Sequence, residues 1–373
     1  MNASGAKIRL GLLFGGRSGE HEVSVTSARC VLEAIDREKY EVVPIRISRE
    51  GRWAVLPPLA ELDSLEELET LPGRSGALFP WPEGGRLAPA AGDSAVAYRR
   101  LDVVFPLLHG VFGEDGTVQG LLALADVACV GAGVPASAAG MDKILQKQLF
   151  QQSGLKVPAH WWFFRKQWYG QPESVIGEIE RRFGYPCFVK PANTGSSVGI
   201  SKAHDRRELT AALNLAAELD LKVLVEEALD ARELECGVLG NEQPEASVVG
   251  EVVSCHEFYD YEAKYIAEGT QILIPAEVEG DITRLVQAWA VRAFQAVDAC
   301  GMARVDFFLA RNTHQLYVNE INTIPGFTPR SMFPRLWQTS GLSYSELIDR
   351  LIELALERHR ERQKTQGYEA THG

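Results

Sequence analysis

The amino-acid sequence predicts a mixed α/β protein whose N-terminal part is a doubly wound, parallel sheet. Apolar strands alternate there with amphipathic helices, which is the pattern of repeated βα units. Two of these strands lead into glycine-rich loops, at Gly15-Gly16 and at His109-Gly110, where such sheets form their ligand crevices. At 373 residues, the chain can support two or three domains.

The first unit is predicted to span residues 1–135. It begins with an apolar strand over residues 7–14, followed by a helix from about Val23 to Asp36 and a strand at 42–47. A strand at 101–108 and a helix at 118–124 complete the unit. Between them, residues 48–100 are rich in Pro, Gly and acidic residues, which indicates a peripheral insertion.

Two further units are predicted at residues 136–227 and 228–362. The middle unit has helices at 141–152 and 208–219 and strands at 185–190, 198–202 and 223–227. The C-terminal unit has strands at 235–240 and 247–253, a helix at 282–299, a hairpin that starts at Arg304, and a closing helix at 343–360. The last residues, 363–373, are expected to form a loose polar tail.

Composition excludes several classes of partner. The chain has 38 basic and 50 acidic residues, and its formal net charge of −12 is a poor match to nucleic acid or to an anionic membrane. The six cysteines are scattered without a C-x-x-C pair, which is typical of reduced thiols in a cytosolic protein. The N-terminus lacks a signal-peptide layout, and no apolar run approaches the roughly 18 residues of a membrane span. We therefore expect a soluble, cytoplasmic protein.

The predicted hairpin near the C-terminus carries the strongest chemical signal. Side chains alternate between the two faces of a strand, so Arg304 and Asp306 share one face, and Glu320 and Asn322 share another. If the strands pair antiparallel, opposed Cβ atoms lie roughly 5 Å apart. Two carboxylates and an amide oxygen would then converge, and hard oxygen ligands of this kind suit Mg²⁺ that carries a substrate phosphate.

Phosphate ligands are suggested by two lysines. Lys190 opens the glycine-rich loop 190–199, whose small residues let backbone N–H groups approach a phosphate. The loop lacks the P-loop spacing, and an ordinary hairpin turn explains it equally well. Lys143 begins a helix and is either a second phosphate ligand or a solvated residue. Glu226 and Glu233 flank the turn out of a buried strand, where a carboxylate can bind a ribose or simply face solvent.

The N-terminal loops suggest a place for a second ligand. Glu20 precedes a helix, where it could hold a substrate ammonium or be stabilised only by the helix dipole. His109 occupies the equivalent position after a later strand. The aromatic loop 258–265, which includes Lys264 and Tyr265, could fold over a site and exclude water, or it could be a self-packed surface loop.

Together these segments resemble the D-alanine–D-alanine ligases of the ATP-grasp superfamily. The resemblance covers nearly the whole chain apart from residues 48–100 and the tail, and the segments occur in the family's order. They are Gly15-Gly16-Arg17-Ser18-Gly19-Glu20-His21-Glu22-Val23-Ser24, Leu108-His109-Gly110, Gly113-Glu114-Asp115-Gly116-Thr117, Met141-Asp142-Lys143, Val189-Lys190-Pro191, Gly195-Ser196-Ser197-Val198-Gly199, Tyr259-Asp260-Tyr261-Glu262-Ala263-Lys264-Tyr265, and the hairpin through Ser331-Met332.

This resemblance implies an N-terminal substrate-binding domain followed by a two-domain ATP-grasp fold. It implies ATP, two Mg²⁺ ions with Mn²⁺ as an alternative metal, and a homodimer. The implied ATP-binding residues are Lys143, Lys190, Glu226, Glu227, Glu233 and Lys264. The implied metal ligands are Asp306, Glu320 and Asn322. The implied substrate-binding residues are Glu20, His109, Ser331 and Met332. The implied catalytic residues are Glu20, Ser196, Tyr265, Arg304 and Gly326.

The implied roles follow the family's two chemical steps. Arg304 and the backbone N–H of Gly326 would form the oxyanion site, and Ser196 and Tyr265 would hydrogen-bond with Glu20. The implied reaction joins two D-alanine molecules through a D-alanyl phosphate, for peptidoglycan precursor synthesis.

Three alternatives remain. A D-alanine–D-lactate ligase is one, although the intact Glu262-Ala263-Lys264-Tyr265 favours an amine as second substrate. A non-catalytic ATP-binding regulatory module is another, and the complete metal-site set together with Arg304 argues against it. A dinucleotide-dependent dehydrogenase is disfavoured because the G-x-G-x-x-G spacing is missing.

Overall fold

The computed structural model describes residues 6–61, 64–65, 68–78, 86–89, 99–195, 198–253 and 271–372. The described chain forms three sheets with helices packed on them. No helix in these ranges is both long and apolar enough to cross a bilayer.

The first sheet has eight strands in the spatial order β6-β5-β4-β3-β2-β1-β7-β8. The strands are β1 (Ile8–Gly15), β2 (Tyr40–Ile47), β3 (Trp53–Val55), β4 (Arg74–Leu78), β5 (Arg86–Pro89), β6 (Arg99–Arg100), β7 (Val103–Pro106) and β8 (Ala128–Cys129). Strands β2, β1, β7 and β8 pair in parallel, as the alternating pattern predicts. Strands β3 to β6 extend this sheet in antiparallel fashion, so residues 48–100 contribute the strands at one edge.

Helices cover both faces of this sheet because β1 alternates its buried side chains between them. Leu12 and Phe14 pack in one apolar cluster with helix α1 (His21–Ala34). Leu13 points the other way and packs in a second cluster with helix α2 (Thr117–Leu124). A further helix, α3 (Val134–Met141), leads out of the unit.

The second sheet is antiparallel, with four strands in the order β11-β10-β12-β9. These are β9 (His160–Phe164), β10 (Cys187–Pro191), β11 (Ser201–Ala203) and β12 (Lys222–Glu227). One face packs against α5 (Arg165–Gly170), α6 (Pro172–Arg182) and α7 (Arg206–Leu219). The side chain of Leu224 faces the other way and packs with Ile144 of helix α4 (Lys143–Gln152).

The third sheet is antiparallel, with five strands in the order β15-β14-β13-β16-β17. These are β13 (Ala231–Gly240), β14 (Glu245–Val253), β15 (Gln271–Leu273), β16 (Gly301–Ala310) and β17 (Leu316–Asn322). Helix α8 (Gly280–Ala296) packs on one face through Val286, Ala290 and Phe294. Helix α9 (Met332–Thr339) packs on the other through Met332 and Leu336. Helix α10 (Tyr344–His372) closes the chain.

Two local expectations were wrong for identifiable reasons. The helix predicted at 141–152 is two helices, because Asp142 is extended (φ −86°, ψ 104°) and its carboxylate caps α4 by accepting from the N–H groups of Ile144 and Leu145. The closing helix runs to His372 and does not end near residue 360, so residues 363–372 are helical and not a loose tail. Good helix formers and the i,i+3 ion pair between Lys364 and Glu361, at 2.6 Å, support the extension.

The first and third sheets touch through two glycine backbones. Gly301 begins β16 with φ +74°, a conformation that side chains rarely adopt. A Cβ atom added there would lie 2.9 Å from the Cα atom of Gly131. The contact therefore requires glycine at residue 301 for both conformation and space.

We expect Gly301→Ala to lower the free energy of unfolding by roughly 2–4 kcal/mol, because backbone strain and overpacking add. Chemical denaturation monitored by circular dichroism measures this. The matched control is Gly177→Ala within α6, where no described atom lies within 4 Å of the added methyl group. That control should be neutral or gain about 0.5–1 kcal/mol. If both substitutions changed the free energy of unfolding equally, the requirement for glycine at residue 301 would be contradicted.

Candidate active site

A cavity of about 480 Å³ lies where the three sheets meet. It is lined by residues from all three units, which include Glu20, His109, Glu114, Lys143, Gly195, Glu235, Arg304, Glu320, Asn322, Gly326, Ser331 and Met332. Residues predicted from separate stretches of the sequence therefore share one space.

Strands β16 and β17 form the predicted antiparallel hairpin. Asp306 lies opposite Glu320, and Arg304 lies opposite Asn322. The register then shifts by one residue between Asp306 and Phe307, which leaves Asn319 as an extra residue in β17. Such a bulge bends its strand and re-aims neighbouring side chains. Here it lies next to Glu320.

The guanidinium of Arg304 is bound to carboxylates on two strands. Its Nε and one terminal nitrogen donate to the two carboxylate oxygens of Asp306, each at 2.7 Å. Its Nε also lies 2.8 Å from a carboxylate oxygen of Glu235 on β13. Burial alone would lower the pKa of Arg304, but Asp306 and Glu235 raise the pKa well above its usual range. The cation therefore stays charged inside the site.

The hairpin's oxygen atoms fit a hard divalent cation. The Nδ2 atom of Asn322 donates to Asp306 at 3.0 Å, and rotation of this amide would present its oxygen instead. Within the described ranges, no three His, Cys, Asp or Glu side chains are arranged around one metal position. A metal here would therefore depend on the Asn322 oxygen in addition to the carboxylates of Asp306 and Glu320.

Two buried lysines share one buried carboxylate beside the cavity. The oxygens of Glu226 on β12 lie 2.7 Å from Nζ of Lys147 and 2.6 Å from Nζ of Lys190. Burial alone would raise the pKa of Glu226, but attraction by the two ammonium groups outweighs it and lowers the pKa to about 2. Burial lowers the pKa of Lys147, and the negative charge of Glu226 opposes this shift. With both lysines protonated, the cluster carries a net positive charge.

The other predicted nucleotide residues are placed nearby. Lys143 is buried, and its ammonium donates to the carbonyl oxygen of Thr194 at 2.5 Å. The carboxylate of Glu227 accepts from the backbone N–H of Ala159 at 2.7 Å, which ties β12 to the segment before β9. Glu233 is half-buried on β13, opposite Val252 and Phe308, and does not line the cavity.

Glu20 lies at the N-terminus of α1 between two glycines from different units. A Cβ atom added at Gly110 would lie 2.8 Å from a carboxylate oxygen of Glu20, and one added at Gly195 would lie 2.9 Å from it. Any side chain at either residue would displace the carboxylate. Glycine at both positions therefore leaves the carboxylate of Glu20 in place, and the φ of +73° at residue 110 is a second reason for glycine there.

His109 and Glu114 surround the same end of the cavity. The Nδ1 atom of buried His109 is 3.1 Å from the carbonyl oxygen of Ile324, and its Nε2 atom has no hydrogen-bond partner among the described residues. Burial lowers the pKa of His109, so the imidazole is neutral. Burial and the charge of Glu20 raise the pKa of Glu114 to about 8. Glu114 accepts from the N–H groups of Gly110 at 2.7 Å and of Ile324 at 3.3 Å.

The loop after β17 completes the cavity. Ser331 lies at the N-terminus of α9, and its Oγ atom accepts from the N–H of Thr328 at 3.1 Å. A Cβ atom at Gly326 would lie 3.1 Å from this Oγ atom. Met332 lines the cavity and is anchored in the apolar cluster with Leu336. The predicted residues Ser196, Lys264 and Tyr265 lie outside the described residues.

Sequence reasoning missed three charged residues of this region. Lys147 lies one helical turn after Lys143, a spacing that puts both on one face of α4. Glu235 lies two residues after Glu233 on β13 and directly opposite Asp306. Glu114 lies in the loop 113–117, and no role was predicted for it. Of the three residues, only Lys147 carried a signal in the sequence, namely its helical spacing from Lys143. The partners of all three come from distant parts of the chain, which sequence patterns do not reveal.

We expect Glu226→Gln to cost roughly 3–5 kcal/mol of unfolding free energy at pH 7, because it leaves two buried ammonium groups without their counter-charge. A carboxylate whose pKa falls from 4.5 to about 2 on folding contributes stability above pH 4.5 that is lost as the pH falls toward 2. The loss of unfolding free energy in Glu226→Gln should therefore become smaller as the pH falls from 4.5 toward 2. Urea denaturation at several pH values measures it.

The control for this prediction is Glu245→Gln, which changes an exposed acid on β14 and should have little effect at any pH. A deficit of Glu226→Gln that stays constant from pH 7 to pH 3 would contradict the assignment.

Comparisons with known proteins agree with this architecture. A family model described as the D-Ala-D-Ala ligase N-terminus matches residues 9–132, and one described as the D-Ala-D-Ala ligase C-terminus matches residues 149–353. The D-alanine–D-alanine ligase of Bacillus cytotoxicus is 49% identical over 359 residues, which cover 96% of this chain and 98% of the relative. That of Geobacillus kaustophilus is 50% identical over 96% of this chain and 97% of the relative.

Solved structures show the same similarity over the whole chain. The D-alanine-D-alanine ligase from Coxiella burnetii matches with a TM-score of 0.85 and 34% identity, over 98% of this chain and 99% of that structure. The D-Ala:D-Ser ligase from Enterococcus faecalis matches with a TM-score of 0.83 and 34% identity, over 94% of this chain and all of that structure (100%). The chain therefore belongs to the D-alanine–D-alanine ligase family and has its ATP-grasp fold.

Proposed function

We propose that the protein joins two D-alanine molecules in an ATP- and Mg²⁺-dependent reaction that forms ADP and passes through a D-alanyl phosphate. One observation carries the proposal: a single cavity is lined by the carboxylate of Glu20, which suits an ammonium, by Lys143, and by Glu320 and Asn322 of the hairpin, whose oxygens are hard ligands. The names of the similar proteins and the ATP dependence of the family support it.

The nucleotide is assigned to the region of the lysine cluster. Lys143 and Lys190 contact its phosphates, together with Lys264, while Glu226, Glu227 and Glu233 lie toward the adenosine. The surplus positive charge around Glu226 favours a phosphate chain over a neutral ligand. Because the overall charge is −12, this local charge has to supply the attraction.

The hairpin is assigned to two Mg²⁺ ions, held by Asp306, Glu320 and Asn322. When bound, the metal neutralises charge that spreads over the transferring phosphoryl group. Arg304 forms ion pairs with Asp306 and Glu235 and is a fixed cation close to that position. Its positive charge would stabilise an oxyanion formed beside it.

The first D-alanine is assigned to the end of the cavity at Glu20. The carboxylate of Glu20 and the neutral Nε2 atom of His109 both accept hydrogen bonds, which suits a substrate ammonium. From the family resemblance, Ser196 and Tyr265 would hydrogen-bond with Glu20. The substrate carboxylate then attacks the γ-phosphorus of ATP, and ADP leaves.

The second step forms the peptide bond. The second D-alanine binds with its carboxylate at Ser331, at the N-terminus of α9, beside Met332. Its neutral amine attacks the acyl phosphate carbonyl, and the resulting oxyanion meets Arg304 and the N–H of Gly326. Phosphate leaves as the carbonyl re-forms. Removal of one oxyanion donor typically costs about 10²–10³ in rate.

Two alternatives concern the second substrate. The Enterococcus faecalis relative is a D-Ala:D-Ser ligase, and its likeness to this chain makes D-serine a candidate. D-lactate would give a depsipeptide, but the lid segment Glu262-Ala263-Lys264-Tyr265 favours an amine. We place the reaction in the cytoplasm because it consumes ATP, and we propose the homodimer from the family resemblance alone.

ADP release tests the proposed function. With enzyme, ATP and Mg²⁺, we expect D-alanine alone to give ADP near neutral pH. We expect D-lactate and D-serine to be used less than D-alanine as the second substrate. A coupled assay for ADP, with product identified by mass spectrometry, measures this. ATP binding without ADP release on addition of D-alanine would support a non-catalytic module, and preferred use of D-lactate would contradict the assignment of the lid.

We expect Glu320→Gln to lower kcat by on the order of 10²-fold or more, because it removes a charged metal ligand at constant volume. Its circular dichroism spectrum should be unchanged. Glu245→Gln, an exposed acid in the same sheet, is the control and should keep full activity. Near-normal turnover of Glu320→Gln at limiting Mg²⁺ would show that the hairpin does not hold the metal.

A further inference from the structure

Lys147 is buried in helix α4 and has no part in the steps above. Its side chain is 1% exposed, which is rare for lysine unless its charge is matched. The ammonium contacts a carboxylate oxygen of Glu226 at 2.7 Å and the backbone carbonyl oxygen of Asn319 at 3.0 Å. One charged group therefore contacts both Glu226, which is assigned to the nucleotide, and the strand that carries the assigned metal ligand Glu320.

The contact on the metal side falls on the bulge of β17. This strand is the last one in its described sheet, so its outer backbone groups need partners other than a strand. Helix α4 supplies two of them. The amide oxygen of Gln146 accepts from the N–H of Ile321 at 2.9 Å, and Lys147 donates to the carbonyl of Asn319, the bulged residue. These contacts hold the strand on either side of Glu320.

On the nucleotide side, Lys147 and Lys190 both contact the carboxylate of Glu226. Lys190 is the only one of the two lysines that the proposed function assigns to a phosphate, and its attraction to Glu226 competes with that role. Lys147 supplies the second counter-charge to Glu226. The carboxylate therefore remains compensated when the ammonium of Lys190 turns toward a phosphate.

We infer that Lys147 is a positioning residue that couples the nucleotide site to the metal hairpin, through Glu226 on one side and the bulge carbonyl of Asn319 on the other. The inference rests on the proposed function, because it gives Lys190 and Glu320 the roles assigned there. The new element is that one buried cation, the ammonium of Lys147, supports both phosphate binding and metal binding. Lys147 itself contacts neither the phosphate nor the metal.

Steady-state kinetics of the full chain tests this coupling, and calorimetric titration with ATP and with Mg²⁺ measures the same two affinities without turnover. For Lys147→Met we expect the KM for ATP and the Mg²⁺ concentration for half-maximal activity each to rise about tenfold, since losing one close charge pair is of this order. The KM for D-alanine should stay within about twofold, because Glu20 and its neighbours do not contact Lys147. The control is Lys156→Met, whose ammonium is exposed and bonds to Gln315 at 2.7 Å near the same strand.

A double-mutant cycle separates the two contacts of Lys147. In a Glu226→Gln background the carboxylate that needs compensation is gone, so adding Lys147→Met should change the KM for ATP by less than about threefold. The increase in the Mg²⁺ requirement should persist, because the bulge has still lost its partner. Equal effects on the KM for ATP in both backgrounds would overturn the inference.

A second variant covers the case in which Lys147→Met does not fold. Lys147→Arg keeps the charge but changes the geometry at Asn319, so the Mg²⁺ requirement should rise while the KM for ATP stays within about twofold. A change in both quantities, or in neither, would overturn the inference. If the wild type releases no ADP, the proposed function is wrong. If the wild type releases ADP but Lys147→Met has the same kinetics as Lys156→Met, only the proposed coupling by Lys147 is wrong.

Discussion

The pairing of buried charges in two clusters is the interaction on which this structure depends. Glu226 holds Lys147 and Lys190 in the interior, and Arg304 holds Asp306 and Glu235 a short distance away. Each ion would be too costly to bury alone, so the first cluster requires helix α4 and strands β10 and β12 to be in place together, and the second requires strands β13 and β16. The charges thereby define the relative position of the elements that line the cavity.

The hairpin and the parallel sheet could be predicted from the sequence because both depend on short-range patterns. Period-two alternation places Asp306 and Glu320 correctly once the strands pair, and alternating strands and helices define the first sheet. Lys147 could not be predicted as a buried ion, since nothing local to α4 announces Glu226 some 80 residues later in the chain. The break at Asp142 was missed for a different reason: a capping aspartate inside an apolar pattern resembles continuous helix.

The placement of Arg304 is a case in which geometry refines a predicted role. The sequence suggested an oxyanion ligand apart from the metal site, whereas the guanidinium is bound by two hydrogen bonds to Asp306, a predicted metal ligand. A fixed cation in this position compensates the acidic hairpin without a metal ion. Metal binding at Asp306 would then exchange one counter-charge for another, which keeps repulsion among the carboxylates low throughout.

The two glycines around Glu20 have a consequence for how this cavity can change. The backbones of Gly110 and Gly195 flank the carboxylate of Glu20, and a Cβ atom at either residue would crowd that carboxylate. There is no side chain to shorten at either place. Substitution at these two glycines can only make the cavity smaller, so any widening of the range of ligands must arise where side chains form the lining, as at His109, Ser331 and Met332.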